Sequence, residues 1–200
     1  MIDNNFRDLL ADNSEVLIDS LIDNELLKEI PILGNSLKVI RGIQSIRDKS
    51  YLNKIKRFVE HIGEIDEEEK KRLIDESKKD SKSRVKFGDA LFTTIEQSDS
   101  LVKVEYLAIA FEAFLNYEFE ESDLRIICHI IKNSFTDELI EVIEKEYPDN
   151  LQYVVPSGLA EIVYPRLTMD MTSTEPKYIL SSPAKQLRKA WVKYKKKEET

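Results

Sequence analysis

One cysteine, two histidines, five glycines and six prolines are all that this 200-residue chain holds of the residues that commonly mark disulfides, metal centres, phosphate loops and turns. Each scarcity excludes something. Cys128 alone cannot build an intramolecular disulfide framework, and it fits a reducing compartment; the expected location is the cytoplasm. It stands among Ile126, Ile127, Ile130 and Ile131, which suits an inert, buried thiol. Its neighbour His129 would point about 100° away around a helix, so the two cannot act as a nucleophile and base. His61 and His129 fall on separate predicted helices with no cysteine pair and no HExxH spacing, so no zinc ligand set is expected. Gly34, Gly42, Gly63, Gly88 and Gly158 are too far apart for a dinucleotide or P-loop fingerprint, and no Gly-x-Ser-x-Gly elbow occurs. The opening MIDNNFRDLL lacks the basic start and apolar run of a signal peptide. No stretch offers the roughly 20 unbroken apolar residues of a membrane span. The expectation is a chain with no catalytic residue, no cofactor and no metal site.

What is abundant is charge and helix-favouring composition. Charged residues make up 34% of the chain, against eleven glycines and prolines together, which favours helix and argues against disorder. The net charge of −8 is uneven. From Lys185 onward seven basic residues face only Glu198 and Glu199, a segment charge of +5, which leaves −13 on the remainder. An acidic body repels nucleic acid while a basic tail attracts it. Basic side chains near a helix C-terminus also complement its dipole.

Apolar periodicity supplies the architecture. Leu101 to Phe119 (LVKVEYLAIAFEAFLNYEF) repeats apolar residues at steps of three and four, with Ser98, Asp99 and Ser100 as cap oxygens before it. Its alanines at 108, 110 and 113 admit close neighbours, so it is expected to be the central helix of a bundle. Helices are also predicted over 16–30, ended by Pro31; over 33–47, where Gly34 and Gly42 lie among basic residues; and over 51–62, stopped by Gly63. A mostly solvated helix follows within 64–83, whose acidic run lacks the pattern of a calcium loop. Further helices are predicted over 84–97, 123–134 (capped by Ser122), 137–146 (capped by Thr136) and 183–195. Lys177 to Ser181 (KYILS) is β-prone. The fold class is mainly α, a helical bundle with a small C-terminal α+β element. The expected division is an N-terminal helical region, 1–121, that includes the central helix, and a C-terminal element with a basic tail, 122–200.

Ser157-Gly158-Leu159, then Tyr178-Ile179-Leu180-Ser181 and Ala184-x-x-Leu187, resemble the wing and closing helix of winged-helix domains. That resemblance spans about 122–195. It departs from the usual pattern at Ala184, where glycine is common, and in the acidic helix from Asp137 to Glu146, which would repel phosphates. The whole chain is also similar to uncharacterised helical proteins of bacteria and their mobile elements, through Pro31-Ile32-Leu33-Gly34 and Ile46-Arg47-Asp48. This second resemblance implies a bacterial or phage context, including phage conflict, and assigns no active-site residue.

The functional expectation is a regulatory or interaction protein with a protein partner, a second copy of itself included. Tyr164, Arg166, Met169 and Met171 are the contact candidates beyond the first wing strand. The alternative is a nucleic-acid binder using the wing loop and Arg188, Lys189, Lys193 and Lys195. A third reading is a membrane-active effector acting through residues 31–47.

Overall fold

A computed structural model of the chain describes residues 46–63, 68, 71, 90–164 and 175–195. The helix expected over 16–30, nearly all of the 31–47 segment and most of the 64–83 run lie outside the described residues, as do Arg166, Met169 and Met171. Among the described residues the chain is mainly helical, with one two-stranded antiparallel sheet. None of the described helices is long and apolar enough to cross a membrane. The chain divides into two units, the first ending at Val104 and the second beginning at Glu105.

In the first unit, α1 runs from Ile46 to Gly63, five residues longer at its N-terminus than the periodicity predicts. Leu52, Ile55, Phe58, Val59 and Ile62 recur at helical spacing and are all buried. A helical segment over 90–97 contributes Leu91, Phe92 and Ile95, and the rings of Phe58 and Phe92 meet edge-on at 6.5 Å. The last carbonyls of that segment lack helical donors. Lys54 Nζ donates to the carbonyls of Glu96 (3.0 Å) and Ser98 (2.5 Å), placing a cation where the helix dipole favours it.

Helix α2, Leu101–Leu115, carries the division between the units. Ser100 Oγ accepts from the Lys103 amide at 3.3 Å, as an N-cap serine does. From Tyr106 to Ala113 every residue is buried, so no face of this stretch meets water. The predicted helix extends to Phe119, but the observed one stops at Leu115. Tyr117 adopts a left-handed backbone (φ 57°), and the Glu118 amide donates to the Ala113 carbonyl at 2.9 Å, closing the helix end. Phe119 is still buried, beyond the turn rather than on the helix.

The second unit adds α3 (Glu121–Asn133), α4 (Thr136–Glu144), a four-residue 3-10 turn (Leu151–Val154), β1 (Ala160–Val163), β2 (Lys177–Leu180) and α5 (Ser182–Lys195). Both predicted caps shift. The Glu120 amide donates to Asp123 Oδ2 (3.1 Å), so α3 begins before Ser122; the Phe135 amide donates to Glu138 Oε2 (2.9 Å), so Thr136 is already inside α4. In each case a carboxylate three residues on satisfies the amide that a hydroxyl cap leaves open. Helix α5 packs on both α3 and α4, and the 3-10 turn packs against both strands.

The residues behind the Gly-Leu and Tyr-x-Leu-Ser patterns meet at one knot. Gly158 has φ 86°, and a Cβ there would stand 3.2 Å from Ile130 Cγ1, so both backbone and space call for glycine. Ser181 Oγ donates to the Gly158 carbonyl (2.7 Å) and accepts from the Ala184 amide (3.3 Å), while the Ser181 amide donates to the Leu159 carbonyl (3.0 Å). One serine therefore closes the hairpin and caps α5. Ala184 and Leu187, on the first turns of that helix, are buried.

Candidate interaction surface of the second unit

Along α5, apolar and basic residues alternate by face. Leu187, Ala190, Trp191 and Tyr194 are buried, which turns the lysines and Arg188 toward the periphery. Three of those basic side chains then meet acceptors of their own unit. Arg188 Nη2 donates to the carbonyls of Lys145 and Glu146 (2.7 Å to Glu146), satisfying the chain end just past α4. Lys193 Nζ pairs with Glu118 Oε1, which also accepts from Tyr194 Oη at 2.7 Å. Lys195 Nζ sits 3.7 Å from Glu105 Oε2 and 4.2 Å from the centre of the Trp191 ring. Lys189 is exposed, and its charge reaches Glu118.

This arrangement shifts titrations. Partial burial raises the Glu118 pKa, but the hydrogen bonds from Lys193 and Tyr194 outweigh it, so the carboxyl is held below its usual range. Lys193 is pushed up to about 12, first through its bond to Glu118. Burial, then the hydrogen bond to Glu118, raises the Tyr194 hydroxyl to about 12 as well. A carboxyl whose folded pKa is depressed adds stability above its unfolded value and loses it as pH falls through the folded one. Glu118→Gln is therefore expected to cost about 0.5 to 1 kcal/mol at pH 7, discounted because Lys193 is half exposed and screened. In thermal melts the gap between wild type and variant should close as pH falls below the usual carboxylate value of about 4. A gap unchanged at pH 3 would show that the charge of Glu118 is not what holds α5.

Tyr106 is the buried counterpart. Its hydroxyl donates to Glu144 Oε1 at 2.6 Å, and its ring lies 4.6 Å from that of Trp191. Burial, and then the bond to Glu144, raises its pKa. Cys128 is buried on α3 and burial pushes its thiol up to about 12, which suppresses the thiolate. Among the described residues no three His, Cys, Asp or Glu side chains are placed to hold one metal ion.

The unit also turns large aromatic side chains to solvent. Phe135, Tyr147, Tyr153 and Tyr164 are each at least 69% exposed. Phe135 stands at the start of α4 and Tyr147 beyond its end; Tyr153 lies on the 3-10 turn, which packs against the hairpin that Tyr164 continues. Of the residues singled out in the sequence, Tyr164 thus reaches the surface, while Arg188, Lys193 and Lys195 are engaged within the unit. Phe135, Tyr147 and Tyr153 were missed. Their signal was an aromatic flanked by cap and turn residues (Ser134-Phe135-Thr136, Tyr147-Pro148-Asp149), outside any apolar period. No family model, curated protein or solved structure matches this chain.

Proposed function

We propose that the chain is a non-enzymatic interaction or regulatory protein whose second unit contacts a protein partner through its exposed aromatic side chains. The bacterial or phage setting belongs to this reading through the resemblance of the N-terminal segment. The observation that carries it is a contrast on one unit. Three of the five basic residues of α5, Arg188, Lys193 and Lys195, are occupied by the carbonyls after α4, Glu118 and Glu105, while four large aromatic rings stand in water. Tyrosine and phenylalanine are enriched at protein interfaces because a ring buries much area at small entropic cost.

We further read residues 122–195 as a winged-helix-like element. The order of two helices, a short turn, a hairpin and a closing helix supports this. Two features turn it away from DNA. The segment before the hairpin is a four-residue 3-10 turn, Leu151–Val154, without a basic residue, where a groove-reading helix needs several turns. The helix before it is acidic at Asp137, Glu138, Glu141 and Glu144.

The test is affinity capture of the full chain from its native source, run beside the double variant Tyr153→Ala, Tyr164→Ala. Both tyrosines are exposed, so the variant should keep the wild-type melting temperature and lose the captured protein by tenfold or more. Equal capture by the two would remove this surface from the proposal. Binding of duplex DNA at low salt, lost on Lys193→Ala with Lys195→Ala, would favour the nucleic-acid reading instead.

A further inference from the structure

We draw no further inference here: the strongest candidate, the exposed apolar surface of the β1–β2 hairpin at Ile162, Val163 and Tyr164, carries nothing because nothing in the structure shows what covers it.

Discussion

Phe111→Asp should leave no cooperative unfolding transition at 25 °C. Phe111 has no solvent-exposed surface, its ring lies 6.0 Å from that of Phe114, and the residues around it on α2 are buried as well. Truncating a buried phenylalanine costs about 3 to 5 kcal/mol by itself. A carboxylate in its place adds several more for a charge taken out of water. Protonation of the aspartate relieves part of this and still leaves a buried hydroxyl without a partner. The sum reaches the whole stability of an ordinary domain, about 5 to 15 kcal/mol. Phe111→Leu supplies the control: it keeps the position apolar and should cost about 1 to 2 kcal/mol with a cooperative melt retained. Circular dichroism melts of the three proteins check this. An aspartate variant within 2 kcal/mol of wild type would show that α2 is not the element on which the fold depends.

That dependence was visible in the sequence because burial on every side leaves a local trace. Between Tyr106 and Ala113 only Glu112 is charged, and an exposed helix could not be so apolar. The same logic located α3, α4 and α5, whose buried residues keep the 3.6-residue period, and β2, whose β-branched and aromatic content marks it. Its end was misjudged for a physical reason. Phe119 is buried and continues the period, although the left-handed Tyr117 has already stopped the helix. Periodicity reports which residues leave water and is silent on whether the backbone between them remains helical. The partners of Lys193 and Lys195 lay beyond local pattern in a related way. A basic run suggests a polyanion partner, but Glu118 lies 75 residues before Lys193 and Glu105 lies still further from Lys195. No local pattern joins them. The exposure of Tyr164 was legible because the residue follows directly on the apolar end of a short strand. Ser181 was legible only as part of a resemblance; its double role became evident once Gly158 and Ala184 stood beside it.

Trp191→Ala should destabilise the second unit by about 4 kcal/mol, a loss of roughly 10 °C in melting temperature for a protein of this size. Three contributions meet at the indole. It is buried on α5, so truncation leaves a cavity among side chains that cannot all collapse into it. Its ring packs against Tyr106, whose hydroxyl is held by Glu144, so water admitted through the cavity competes for that bond as well. Lys195 stands over the same ring, an arrangement worth about 0.5 to 1 kcal/mol at a partly exposed site. Trp191→Phe separates these terms: it keeps most of the packing and a ring for the cation, and should cost about 1 to 2 kcal/mol. Tyr106→Phe isolates the hydroxyl, leaving the ring contact in place and removing only the bond to Glu144. Because Trp191 is the only tryptophan in the chain, its emission reports the wild-type environment directly. The spectrum should be blue-shifted in the native protein and move to the red in the same urea transition that abolishes helical ellipticity. If instead the emission is already that of a solvated indole, or the alanine variant loses under 1 kcal/mol, the packing of α5 on Tyr106 is wrong. The placement of Lys193 and Lys195 against Glu118 and Glu105 would then fall with it.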